Sequence, residues 1–219
     1  MGAMTTATQL ELGTPHGAAV AHLHAAAVGP PDAALVLGHG AGGGVGAPDL
    51  IAATKVALSL GLSVALVEQP YRVAGRRSAA PAAQLDAAWI AIVEGLLAGP
   101  LAGSVLVTGG RSSGARVACR TAAATGAAAV LCLAFPLQPP PRKSGSRSPS
   151  RLGELEAVRV PVLVVQGEGD QFGMPPAGPR RTVVRVRGSH SLRSDIAAVS
   201  AAIAGWLPGI IANARDARP

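Results

Sequence analysis

The feature that most constrains this chain is a repeated alternation of two kinds of segment. Short β-type runs, most of them strongly apolar, alternate with longer Ala- and Leu-rich runs with helical spacing. "AALVLGHG" (33–40), "SVALVEQP" (63–70), "SVLVTGG" (104–110), "AAVLCLAFP" (128–136), "VPVLVVQGEGD" (160–170) and "RRTVVRVRG" (180–188) read as strands. "DLIAATKVALSLG" (49–61), "AQLDAAWIAIVEGLLAG" (83–99), "GARVACRTAAATG" (114–126) and "DIAAVSAAIAGWL" (195–207) read as helices. In the first helix Leu50, Ala53, Val56, Ala57 and Leu60 share one face, with Asp49 expected as N-cap and Gly61 as C-cap. Strands this apolar need cover on both faces. Alternation with helices therefore predicts an α/β protein with a doubly wound, mostly parallel sheet. "GAAVAHLHAAA" (17–27) is expected to add an edge strand.

One domain is expected over all 219 residues. "PLQPPPRKSGSRSPSRLGELE" (136–156) is too polar and too Pro-interrupted to bury, so 136–153 is expected as a flexible loop. Residues 1–15 and 208–219 are expected as loose termini. Apolar residues make up 49% of the chain but only five residues are aromatic, so the core must be aliphatic. The net charge of +7 admits an anionic partner. The arginines are spread along the chain, however, and a solvated surface explains the same count.

Cys119 and Cys132 both lie in apolar runs and read as buried thiols rather than a disulfide framework. A reduced, cytoplasmic setting is expected. "MGAMTTATQLELG" has no basic start and no long apolar run, unlike a signal peptide. No run reads as long enough to cross a bilayer, so no membrane role is expected.

The chemistry centres on "VLVTGGRSSGARVACR" (105–120), where two serines stand between glycines. A serine hydroxyl needs a neighbouring base, an acid to orient that base, and N–H donors for an oxyanion. A nucleophile on a tight strand-to-helix turn also needs small residues two before and two after it. Ser112 has Gly110 and Gly114 there. Ser113 has Arg111 and Ala115, and the arginine excludes it. Arg111 itself is expected to point away from the nucleophile.

The chain order serine, acid, histidine is then met by Asp170 in "GEGDQFG" and His190 in "GSHSL", each after a late strand. His190 would be the general base and Asp170 its orienting acid. Glu168 is a rival for Asp170. "GHGAGGGVGAPDL" (38–50) has the His-Gly start of an oxyanion loop. The backbone N–H groups of Ala41 and Ser113 are the expected donors. No Lys-Ser/Thr follows these glycines, so a P-loop does not fit, and a dinucleotide site is matched only loosely through Glu68.

These motifs resemble a small α/β-hydrolase family related to dienelactone hydrolases. The likeness rests on "LGHGAGGG" followed by "PDL", "QPYRVAGRR", "GGRSSGARVA", "LAFPLQPP", "VLVVQGEGDQFG" and "GSHSL", between about residues 33 and 206. It implies the α/β-hydrolase fold without a large cap, with nucleophile Ser112, acid Asp170 and base His190. Gly169 stands where the family usually has Arg before the acid, and the Pro/Ser/Arg loop is longer than usual. Some relatives are subunits of larger assemblies.

Arg72, Arg76 and Arg77 follow a strand at the end of the sheet expected to hold the site. They are candidate contacts for an anionic group on the substrate, against a structural role in pairing with backbone or with acids such as Asp86. His22 and His24 form an H-x-H pair with no third ligand in view, so no metal is expected. Arg142, Lys143, Arg147 and Arg151 make a basic loop without interleaved aromatics, so nucleic acid is not expected.

The sequence thus points to a serine hydrolase of carboxylic esters or related acyl compounds. Its partner would be a small acyl substrate, with no cofactor, and with homo-oligomerisation open. A catalytically weak interaction module on the same fold is the alternative.

Overall fold

In a computed structural model of the chain, residues 7–26, 32–139 and 148–216 are described. The apolar runs form strands and the Ala-rich runs form helices. In order they are β1 (Thr8–Thr14), β2 (Gly17–His24), β3 (Ala33–Gly38), α1 (Pro48–Ser59), β4 (Ser63–Glu68) and α2 (Pro70–Val73). There follow α3 (Ala82–Leu97), β5 (Val105–Arg111), α4 (Ser113–Thr121), β6 (Ala129–Leu133) and α5 (Leu152–Glu156). Then come β7 (Val162–Gly167), β8 (Arg181–Val186) and α6 (Ile196–Asp216).

The eight strands form one sheet in the order β1-β2-β4-β3-β5-β6-β7-β8. β1, β2 and β4 pair antiparallel, and every pairing from β4 through β8 is parallel. This is the doubly wound α/β sheet that the alternation predicts.

Strand periodicity divides the core in two. In β3, Ala34 and Val36 face a layer built by α3 and α4, where Trp89, Ile92, Leu96 and Val117 are buried. Ala33, Leu35 and Leu37 face the opposite layer, where Leu50, Ala53 and Ala57 of α1 meet Val199, Ile203 and Leu207 of α6. Because both faces are covered, β3 is buried along its whole length. No cap domain stands among the described residues.

Three expectations change. The sheet edge is β1, not the 17–27 segment, which forms an inner strand between β1 and β4. β1 alternates exposed and half-buried residues, so its composition resembles a tail, and only the hairpin with β2 makes it a strand. The chain end is not loose at 208. Pro208 and Gly209 read as a stop, yet α6 runs through them to Asp216, because a proline forfeits only one N–H bond where the rest of the helix is held by packing. The resulting segment Arg193–Asp216 is, by length and composition, apolar enough to cross a bilayer, contrary to the sequence reading. Val199, Ile203, Leu207 and Ile211 pack onto the sheet layer at every fourth position. The central part of the Pro/Ser/Arg loop, residues 140–147, lies outside the described residues, and its C-terminal end forms α5.

α1 also starts differently. Ala47 caps it and Pro48 opens it, while Asp49 is buried in the first turn and bonds the Leu50 N–H and Arg111.

Candidate active site

Strand order reverses about β3, with β4 on one side and β5 on the other. The loops leaving the carboxyl ends of β3 and β5 therefore diverge and leave a crevice, the usual ligand position in an open α/β sheet. The His-Gly loop leaves β3 there, and Ser112 leaves β5.

Ser112 sits between β5 and α4 with φ 53° and ψ −107°. This is a left-handed φ that a residue with a Cβ adopts only under constraint. The constraint is visible. The Ser112 N–H donates to the Leu133 carbonyl at 2.9 Å. A Cβ on either Gly110 or Gly114 would strike the Gly38 carbonyl oxygen. The glycines two before and two after Ser112 are thus required by the close approach of β3, β5 and α4.

The serine Oγ lies 2.9 Å from His190 Nε2. His190 Nδ1 lies 2.8 Å from Asp170 Oδ2. A carboxylate only accepts, so Nδ1 carries the proton and Nε2 is left to accept from the hydroxyl. Asp170 is buried and further held: Oδ1 accepts from the Phe172 N–H at 2.9 Å, and Oδ2 from Gln166 Nε2 at 2.8 Å. The Phe172 ring meets the His190 imidazole edge-on, with centroids 4.5 Å apart. Glu168, the rival acid, is exposed, and it is Asp170 that pairs with the histidine. Such a relay can take a proton from Oγ and return it to a leaving group.

The loop after β3 is braced from behind. The Gln69 N–H donates to His39 Nε2 at 3.2 Å, so His39 Nδ1 carries the proton and donates to the Gly40 carbonyl at 2.8 Å. Burial pushes the His39 pKa below its ordinary 6.5, with the Gly40 bond opposing. Tyr71 Oη donates to the Ala41 carbonyl at 3.0 Å. Ala41, Ser112 and Ser113 line one cleft of about 320 Å³. Ser113 opens α4, and the first N–H groups of a helix have no partner within it.

Arg111 does point away from the nucleophile. Its Nε donates to buried Asp49 Oδ2 at 2.9 Å and its Nη2 to the His190 carbonyl at 3.0 Å. One side chain therefore ties the serine turn to α1 and to the histidine loop. Burial raises the Asp49 carboxyl above the usual carboxylate value, and Arg111 opposes this.

The arginines foreseen as substrate contacts are not the ones in the cleft. Arg72 lies in α2, Arg76 lines a separate cleft with Gln69 and Tyr71, and Arg77 is exposed. Arg116, Arg120 and Arg151 line the serine cleft instead. Arg116 and Arg120 are one helical turn apart, so the sequence allows them as neighbours, but nothing in it brings Arg151 to them. Gln166 was legible only as a lone polar residue in "VLVVQG". His22 pairs with Glu68 at 2.9 Å, and no cluster able to hold a metal occurs among the described residues. Arg142, Lys143 and Arg147 lie outside the described residues. Cys119 and Cys132 are free, buried thiols with Sγ atoms 3.5 Å apart.

The alpha/beta hydrolase domain family matches residues 31–182. The chain belongs to that family. Its fold is similar to that of a serine hydrolase without a lid from Xanthomonas campestris, at 19% identity and TM-score 0.74, covering 94% of this chain and 95% of that one. It is also similar to a dienelactone hydrolase from Anabaena variabilis, at 15% identity and TM-score 0.70, covering 94% and 99%. An esterase domain from Rhodothermus marinus is similar at 14% identity and TM-score 0.68, covering 93% and 99%. No curated protein matches the sequence. As a member of an α/β-hydrolase family with an eight-stranded, mostly parallel sheet, the chain has the framework of a hydrolase.

Proposed function

We propose that the protein is a serine hydrolase of carboxylic esters or related acyl compounds. The observation that carries this reading is the unbroken contact chain from Ser112 Oγ through His190 to Asp170, at 2.9 and 2.8 Å. Ser112 attacks the acyl carbon as His190 Nε2 takes its proton. The charge on the carbonyl oxygen is met by the N–H groups of Ala41 and Ser113, since the Ser112 N–H is already committed to Leu133. The positive end of α4 adds to this. The tetrahedral adduct expels the alcohol, which leaves with the proton from His190. Water then repeats the sequence on the acyl-enzyme and releases the acid. Asp170, held by Phe172 and Gln166, keeps the imidazole in the required tautomer.

Hydrolysis of a panel of acyl esters by wild type, Ser112→Ala and Ser113→Ala tests the proposal. Ser112→Ala should lower kcat by a factor of about a thousand or more, while Ser113→Ala keeps its backbone donor and should retain most activity. Equal loss in both variants, or none in Ser112→Ala, would contradict it.

A further inference from the structure

The cleft beside Ser112 holds more positive charge than its carboxylates neutralise. Arg116 and Arg120 enter it from α4, and Arg151 from the residue before α5. Glu154 accepts from Arg116 Nε at 2.8 Å and Nη2 at 2.6 Å, and from Arg120 Nη1 at 3.3 Å. Asp86 accepts from Arg120 Nε at 2.8 Å and Nη2 at 2.6 Å. Two carboxylates thus occupy two guanidinium groups.

Arg151 is left over. Its Nη1 donates to the Pro136 carbonyl at 3.0 Å. No carboxylate among the described residues pairs with it, and the remaining residues contain no Asp or Glu. Burial, then the neighbouring charge of Arg116, pushes its pKa down, with Glu154 opposing and Arg120 adding to the effect. A guanidinium crowded by other cations in a half-enclosed cleft is stabilised by an incoming anion, and its planar fork suits a carboxylate.

We infer that Arg151 receives a carboxylate of the substrate, so that the esters cleaved at Ser112 carry a second, ionised acid group. The inference rests on the hydrolase reading for the reaction and on the Arg116–Glu154–Arg120–Asp86 cluster for the charge. It moves anion recognition from Arg72, Arg76 and Arg77, which do not line the serine cleft, to Arg151, which does. The net charge of +7 would favour encounter with such substrates.

Two matched pairs of esters test it, with the acid on the acyl side or on the leaving group. They are 4-nitrophenyl hemiglutarate against 4-nitrophenyl hexanoate, and 4-acetoxybenzoate against its methyl ester. In the wild type, kcat/KM for the acidic member of at least one pair should exceed its neutral partner by about tenfold or more. That ratio should fall toward one in Arg151→Gln and lie between in Arg151→Lys, which keeps the charge but not the fork. A wild-type ratio near one for both pairs overturns the inference while leaving the hydrolase reading intact. So does a ratio unchanged in Arg151→Gln. If no ester is turned over, the hydrolase reading fails. Calorimetric titration with monomethyl glutarate then decides the anion site separately. Binding weakened in Arg151→Gln supports it, and absence of binding to the wild type removes it.

Discussion

At the scale of single residues, the site depends on groups that never touch a substrate. His39 is buried as a neutral imidazole, accepting from Gln69 and donating to Gly40. A second proton would have to go onto Nε2, against the Gln69 N–H. Its folded pKa lies below the ordinary 6.5, which it regains on unfolding. The sign of the linkage follows. Stability from this residue is fully present above pH 6.5 and is lost as pH falls through 6.5 toward the lower folded value. In an NMR titration the midpoint of the His39 ring should lie below 6.5. A midpoint at or above 6.5 would contradict the buried neutral assignment.

At the scale of elements, Arg111 links the start of α1, the serine turn and the histidine loop. Asp49 is fully buried, so removing the guanidinium leaves its carboxylate without its charged partner. Arg111→Met should lower stability by about 3–5 kcal/mol. Arg111→Met combined with Asp49→Leu should recover much of that loss, because no unpaired charge is left behind. Urea unfolding of the two single variants and the double variant measures both effects. Simple addition of the two losses would contradict a direct pair.

The elements differ in how far the sequence reveals them. β3 through β7 were legible because burial on both faces demands apolar runs, and β8, a partly buried edge strand, because it is rich in β-branched residues. Ser112 was legible because Arg111, two before Ser113, excludes that serine from the turn, while Ser112 has glycines at both positions. β1 was not, because "TQLELGT" makes an edge strand only through pairing with β2. Arg111 was seen only as pointing away, since its partners Asp49 and His190 lie 62 and 79 residues distant. Arg116 and Arg120 share a helix face, but only the fold brings Arg151 to the same cleft.

At the scale of the whole molecule, the two apolar layers lie on opposite faces of the same sheet. Neither can lose its strands while the other keeps them. Thermal unfolding should therefore be one transition, with calorimetric and van't Hoff enthalpies equal. Two resolved transitions would show that the layers, or the β1–β2 hairpin, unfold separately. The central claim is that this framework activates one particular serine. Its most direct test is to treat the protein with a fluorophosphonate and locate the adduct by peptide mass spectrometry. One phosphonyl group should be found on Ser112, absent from Ser112→Ala and retained in Ser113→Ala. An adduct on Ser113, or an unlabelled wild type, would contradict the account.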